Sequence, residues 1–432
     1  MKHSKLRAFV VSAICQVGFA VLLFPLALHA QLYVDCSGTD PSAYPSISAA
    51  LPDVGDGSTI IVTGTCNEFV TLWNVKGINL GAAWGQRASI NGGIAIWDSK
   101  YVYLYGLDIA NSPADGIGAY HSTSVYVDTC TSNGNAVVGL AARYMSDVTV
   151  LNMGSFDYNS AHGIYLDGSS SILLLPWGGP VDISNNGASG VYAGTGGYFG
   201  SWGNTTIAGS AGWGVELYGA SRFNIGTFLG PSAIEGNSSG GASILEGSEF
   251  SFWAVSGLQG VIRGNGPTGV SVGLGSQATF ALDGVQISDH TSAGVDVFAN
   301  SQANFSGPNS VFRNGRLSDP RSAGIRLDGN SQALLRGGDV SRNSGPGILA
   351  LVNSSVDFTG VTFSGDTGGI ISCDSSASMI SDIAQPNPAS GVRCKTPHAL
   401  GNRNFTRKPP APPDLTPYKA LQSKYKKIAT KH

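Results

Sequence analysis

Charge is scarce in this chain. Only 12% of its 432 residues are Asp, Glu, Lys or Arg, roughly half the usual share of about 25%. Sustained heptads of Lys, Glu and Leu are missing too, which excludes a coiled coil or a helical bundle. No strict Gly-X-Y period runs through it, so a collagen-like assembly is also excluded. What the chain has in quantity is glycine, 60 residues, beside an apolar fraction of 42% and 9% aromatics. Those apolar and aromatic shares are too high for a disordered main body. The composition leaves an all-β protein with many tight turns.

The few charges are unevenly placed. Residues 31–394 hold 13 Lys and Arg against 27 Asp and Glu, whereas residues 395–432 hold nine against Asp414 alone. An acidic body argues against nucleic acid as the partner, because phosphate binding needs a basic face. The tail opens on Pro409, Pro410, Pro412 and Pro413 and continues through Lys419, Lys424, Lys426, Lys427 and Lys431. It reads as a disordered basic extension, with contact to an anionic envelope polymer or lipid headgroups as the functional alternative. At the other end, Lys2, Lys5 and Arg7 precede an apolar run from Ala8 to Leu28 and a small Ala30. That is the order of a signal peptide over residues 1–30, and it places the protein in the secreted, periplasmic or cell-surface compartment. Retention of the same run as an N-terminal membrane anchor is the alternative, since Leu28 is a poor residue near a cleavage point. In that oxidising setting Cys36 and Cys66 are expected to staple the start of the body and Cys373 and Cys394 its end, leaving Cys130 buried and inert.

Internal self-similarity decides the fold. Gly269–Phe280 (GVSVGLGSQATF), Gly294–Phe305 (GVDVFANSQANF), Gly324–Leu335 (GIRLDGNSQALL) and Gly347–Phe358 (GILALVNSSVDF) share one pattern. Weaker copies begin at Gly116, Gly139, Gly163, Gly190, Gly214, Gly241 and Gly369, at intervals of 22 to 30 residues. Within each copy apolar residues alternate with period two, so the segments are strands. A further short strand follows, as in Val285–Ile287. Three strands per copy make one coil of a right-handed parallel β-helix, and stacked coils bury a core that no single coil could. A leucine-rich repeat would need its own Leu and Asn signature, which is absent. The expected organisation is a cap and first coils over residues 31–110, with Ser46–Leu51 as a short capping helix, then repeats over 111–394, then the tail.

Asn stands four residues before the repeat Gly at Asn135, Asn159, Asn186, Asn237, Asn265 and Asn343. Stacked coils would bring these into a hydrogen-bonded column. Charges aligned between coils have opposite sign: Arg143 with Asp167, Arg222 with Glu249, Asp296 with Arg326. These are expected to pair across coils on an exposed face. Recurrent Ser, Thr and Asn are expected to line the outside as well.

The succession of capping segment, the strand Thr59–Val62 and the repeats resembles the pectin-lyase-like β-helix proteins over roughly residues 33–394. The resemblance implies a secreted monomer acting on polysaccharide: a uronate lyase, a galacturonan hydrolase, a mannuronan epimerase, or a non-catalytic surface or adhesive member. The family's hydrolase elements (N-T-D, D-D, G-H-G, R-I-K) do not occur, apart from an echo of G-H-G at Ala161-His162-Gly163. The epimerase element D-P-H-D is matched only in part by Ser318-Asp319-Pro320-Arg321. A lyase would need carboxylates gripping calcium and a base for the C5 proton. No dense acid cluster shows, so no metal or other cofactor is expected, calcium entering only on the lyase reading.

Departures from the repeat guide the search for a site. His290 takes the Asn slot, and the interval from Gly294 to Gly324 is the longest, with a polar extra loop. The candidates for proton transfer are His290, Asp289, Asp296 and Asp319. Those for holding substrate are Arg313, Arg316, Arg321 and Arg326, since guanidinium groups grip carboxylates in two-pronged fashion. The competing reading makes His290 one more member of the turn column and the arginines a solvated loop. All seven tryptophans, Trp73, Trp84, Trp97, Trp177, Trp202, Trp213 and Trp253, precede residue 254, and Tyr101, Tyr103 and Tyr105 alternate on one strand. They are either sugar-stacking faces or coil-end packing. The sequence favours a non-catalytic binder of extracellular or envelope polysaccharide, with a carbohydrate-active enzyme centred on residues 289–326 as the alternative.

Overall fold

The computed structural model describes residues 30–255, 257–374, 379–382 and 392–394. The leader and the basic tail expected at the two ends lie outside the described residues, and no helix among those described is long and apolar enough to cross a membrane.

The chain begins with Gln31–Asp35, which pairs in parallel with Thr59–Thr63. Between them Ile47–Ala50 forms a short α-helix (α1), the one α-helix among the described residues, its first turn closed by the Ser46 hydroxyl accepting the Ala49 N–H at 3.1 Å. The Glu68 carboxylate accepts the N–H groups of Ile47 (2.7 Å) and Ser48 (2.9 Å), supplying negative charge where the helix leaves donors unsatisfied. Ile47 and Ala50 are buried, so α1 covers the apolar end of the first coil. The disulfide Cys36–Cys66 ties this cap to the coil beneath.

From there three columns of strands wind round one core. The first face runs from Gln31–Asp35 through strands such as Arg222–Gly226 and Gln277–Leu282. The second includes Thr205–Ala208 and Val285–Ser288, and the third runs through Phe69–Trp73, Ile117–Tyr120 and Ala323–Leu327. The third face is a separate sheet of 14 strands, while the first two join into one sheet of 26. They join because Thr123–Asn133 and Asp147–Ser155 run unbroken round the corner between them. Pairing is parallel and in register from coil to coil, as in Ile207↔Ile234 and Phe280↔Phe305. Inside, Phe199, Phe223, Phe250, Phe280 and Phe305 stack at centroid spacings of 4.7, 5.3, 6.0 and 4.8 Å. Phe280 and Phe305 hold the last motif position, and Phe199, Phe223 and Phe250 the inward slot two residues before it, so the column steps sideways between Phe250 and Phe280.

The Asn column is a buried ladder. Asn135 Nδ2 donates to Asn159 Oδ1 (3.0 Å), Asn159 to Asn186 (3.1 Å), and Asn237 to Asn265 (2.9 Å). Asn314 also belongs to it, donating to Asn343 at 3.1 Å. The ladder explains the repeat Gly: a Cβ on Gly294 would lie 2.7 Å from both Gly324 O and Asn314 Nδ2. The expectation that the Asn and Ser columns lie outside is corrected: the Asn ladder is buried, and so is the Ser column. Ser221, Ser248, Ser276 and Ser301 are buried, each donating its N–H to the next coil's hydroxyl at 3.2–3.3 Å.

Of the expected ion pairs, Arg222–Glu249 (3.1 Å) and Asp296–Arg326 form. Arg143 does not pair with Asp167; it turns to the preceding coil and meets Asp115 at 3.2 Å. Cys130 is buried and unbridged, its thiol donating to Asp128 O at 3.3 Å, and burial pushes its pKa up to about 12. Strand register sets Cys373 opposite Cys394; the Cys394 side chain lies outside the described residues.

Candidate functional site: the outward third face

On the third face every second residue points outward, and register stacks these residues into lanes. Trp73, Trp97, Tyr120 and Arg143 share one lane, and Tyr165 and Tyr192 the next, two residues earlier in their strands. The side chains form one stack. Trp73 and Trp97 lie 6.0 Å apart, Trp97 and Tyr120 4.1 Å, Tyr165 and Tyr192 5.1 Å, and Tyr192 and Tyr218 5.9 Å between centroids. The gap between Tyr120 and Tyr165 is filled by Arg143, whose guanidinium carbon is 5.9 Å from the first ring and 4.6 Å from the second. A cation between two π faces is attracted to both. The guanidinium thus carries the stack across from one lane to the other.

Carboxylates fix the rungs. Tyr120 donates its hydroxyl to Asp115 Oδ2 at 2.7 Å, and Asp115, only 5% exposed, also holds Arg143. Tyr165 donates to Asp167 at 3.0 Å; burial first and that carboxylate second push its phenol pKa up to about 12. His162 packs beside Tyr165 (5.8 Å) and Tyr192 (5.1 Å), and its Nδ1 accepts the Ser189 N–H at 3.3 Å. Burial lowers its pKa to about 4, so the ring is neutral near pH 7. Glu216 follows Tyr192 in the lane and accepts the Ser189 hydroxyl at 2.6 Å.

The same lane continues through Ser243, Ser271, Asp296 and Arg326, so part of the sequence-derived patch lies on this face. Arg326 Nε donates to Asp296 Oδ1 at 2.7 Å. Asp319, from the extra loop, accepts the Arg321 N–H (2.9 Å) and the Ser292 hydroxyl (2.8 Å), and these two bonds lower its pKa in that order. Arg316 and Arg321 are exposed. Asp289 and Arg313 form an ion pair at 2.8 Å. His290 is not brought to the surface. It is 2% exposed, inside the Asn ladder, with Nδ1 at 3.3 Å from Asn265 O and Nε2 at 3.1 Å from Ile262 O. Its place in the stack is the turn-column role, and an imidazole so enclosed cannot reach a substrate on the third face.

Among the described residues, Cys36, Cys66 and Glu68 bring three metal-type ligand atoms together. The two sulfurs are joined to each other, and calcium takes oxygen ligands, so this set does not fit it. Trp73 and Trp84 are exposed and Trp253 is buried. Tyr101, Tyr103 and Tyr105 do share the outward side of Lys100–Tyr105. Tyr165, Tyr192, Tyr218 and Arg143 escaped the sequence reading as a unit. The signal for the first two was an aromatic two residues after a repeat Gly in consecutive copies.

Residues 259–394 match the family described as the right handed beta helix region. With the coils described above, the chain is a right-handed parallel β-helix. No curated protein matches its sequence. Among solved structures, the A-module of mannuronan C-5 epimerase AlgE4 from Azotobacter vinelandii is similar at 12% identity and a TM-score of 0.42, covering 83% of this chain and 94% of that one. Pectate lyase Pel9A is similar at 14% identity and a TM-score of 0.30, covering 79% and 81%. The catalytic domain of a GH87 alpha-1,3-glucanase is similar at 12% identity and a TM-score of 0.39, covering 82% and 68%.

Proposed function

We propose that the protein is an exported, non-catalytic glycan-binding β-helix that lays an extended polysaccharide along its outward third face. The observation carrying this reading is the continuous outward track from Trp73 to Arg326, two adjacent lanes joined at Arg143. It crosses eleven strands of the third sheet, and at about 4.8 Å per coil it is on the order of 50 Å long. The lane presents ring edges, hydroxyls and carboxylates fixed by neighbouring coils, a surface organised before any ligand arrives. Export is supported by the leader-like residues 1–30 and by the Cys36–Cys66 bond, which suits an oxidising compartment.

Binding is favoured over cleavage because five carboxylates along this face are engaged. Asp115 and Asp296 hold arginines, Asp167 a phenol, and Glu216 and Asp319 serine hydroxyls. Glycoside hydrolysis by a carboxyl pair needs one group to give a proton and the other to attack or activate water. The test is affinity electrophoresis against neutral and uronate polysaccharides, with reducing ends and the ultraviolet absorbance of unsaturated uronate followed in parallel. Retardation without new ends supports the proposal. New reducing ends or unsaturation overturns it, and loss of that activity in Asp296→Asn or Asp319→Asn would move the site to the loop after Asn314.

A further inference from the structure

Stacking consumes ring faces. Trp97, Tyr120, Tyr165 and Tyr192 each have neighbours in the ladder on both sides, so a passing sugar meets their edges. Trp73 is different. It is the first rung, 62% exposed, no strand of the third sheet precedes its own among the described residues, and it lines an open pocket of about 310 Å³. That volume is at the lower end of small-ligand sites. The walls come from two sources: Leu51, Val54 and Asp56 from the segment following α1, and Trp73, Asn74 and Lys76 from the end of the first third-face strand. The pocket therefore combines an aromatic platform, an aliphatic wall and three polar side chains of different kinds.

We infer that this pocket binds the terminal pyranose ring of a neutral glycan, stacked on Trp73 as one more rung of the ladder. The C–H face of a sugar ring suits an aromatic face, and its hydroxyls suit a carboxylate, an amide and an ammonium group. Leu51, Val54 and Asp56 of the cap segment line the pocket, and the third sheet begins at Phe69–Trp73 among the described residues, so the remainder of a glycan runs away from this end along the lane. A terminal ring fits there and an internal one does not. Asp56 and Lys76 balance in charge, so the pocket offers no net positive field to draw a uronate carboxylate, and a neutral ring is the class it takes. The inference rests on the third face being a glycan site and adds the polarity of the bound chain and the class of its end unit.

The experiment titrates the full chain with cello-, laminari-, manno- and xylotetraose and with tetragalacturonate, reading tryptophan fluorescence and calorimetric heat. A parent polymer of a tetraose that binds is then compared with its tetraose at equal mass. The expected result is saturation by one neutral tetraose at far lower mass than by its polymer, because the pocket counts chain ends. Trp73→Ala should weaken the tetraose at least tenfold and Asp56→Asn severalfold, and Asp56→Asn, which alters no residue of the lane, should leave polymer retention on gels unchanged. Trp73→Phe, which keeps an aromatic face, should recover most of the loss and controls for folding. Equal tetraose affinity in Trp73→Ala, tighter binding of tetragalacturonate, or saturation that follows polymer mass overturns the end pocket while leaving the lane standing. Absence of retention for every polymer by the unaltered protein overturns the glycan reading itself.

Discussion

Replacing His162 with Phe isolates the contribution of one proton to stability. The imidazole lies among Tyr165 and Tyr192, accepts the Ser189 N–H on Nδ1, and has its pKa lowered by burial to about 4. In the unfolded chain the same group titrates near 6.5. Between those values the unfolded state binds a proton that the folded state refuses, so acid favours unfolding. The stabilisation is complete above pH of about 6.5 and is lost as pH falls toward 4. At about 1.36 kcal/mol per unit of separation the whole loss is about 3 kcal/mol. About 2 kcal/mol of it falls between pH of roughly 7.5 and 5, before most carboxylates titrate. Phe keeps the ring packing and forfeits the Ser189 bond, a cost of about 1 kcal/mol that does not vary with pH. Denaturant unfolding followed by tryptophan fluorescence at the two pH values gives the comparison, and His290 is present in both proteins and cancels. The unaltered protein should lose about 2 kcal/mol more than the variant. Equal losses would show that the folded ring takes up its proton near the ordinary pKa and would refute the reasoning.

Other substitutions test the columns. His290→Asn should restore a ladder rung between Asn265 and Asn314 and raise the melting temperature at mildly acid pH, since burial now holds the imidazole neutral; a lower melting temperature there would contradict the ladder role. Gly294→Ala drives a Cβ to within 2.7 Å of a backbone carbonyl and a ladder amide and should cost about 3 kcal/mol in thermal or denaturant unfolding, an unchanged midpoint being the contrary result. Arg326→Ala strands the Asp296 carboxylate, whose side chain is 10% exposed, and should cost about 3 kcal/mol. Arg222→Ala breaks a pair with side chains 64% and 55% exposed and should cost less than about 1 kcal/mol; similar costs for the two would void the burial argument. Arg143→Tyr offers an aromatic rung but leaves Asp115 charged and without its arginine, so it should destabilise, and adding Asp115→Asn should recover more than about 1 kcal/mol of coupling in a double-mutant cycle.

The architecture was legible because a solenoid converts sequence period into spatial adjacency. Once Gly269, Gly294 and Gly324 are aligned, the Asn ladder and the Asp296–Arg326 pair follow from counting, though not that the ladder is buried. Counting failed where the unit of counting broke. Asn314 stands ten residues before Gly324 because the loop over 315–322 lies between them, so a rule of four missed a ladder member that its own strand, Ser310–Phe312, places correctly. Register also says which residues are level, not which way a long side chain leans. Arg143 is level with Asp167, yet the Asp115 carboxylate of the preceding coil holds it, with the Tyr120 ring on one side and the Tyr165 ring on the other. That lean lets the stack change lanes, and a search for aromatics in a single column cannot see a ladder that moves between two.

The inward turn of the serine column has a local cause that the sequence did contain. Strand alternation assigns sides only while the chain is extended, and each buried Ser follows a corner. The residue immediately before it is left-handed in copy after copy: Ala220 before Ser221, Gly247 before Ser248, Gly275 before Ser276, Asn300 before Ser301, Asn330 before Ser331 and Asn353 before Ser354. Gly and Asn are the residues that tolerate positive φ at least cost, so a recurring Gly-Ser or Asn-Ser marks a corner. One left-handed residue there reverses the parity that period-two counting carries forward. The hydroxyl then falls inside the corner, within reach of the N–H of the serine one coil earlier, and is withdrawn from any ligand outside. On the outward third face the polar groups are instead the phenols, carboxylates and arginines of the lanes, and the proposed glycan site rests on these more than on the serines that dominate the repeat.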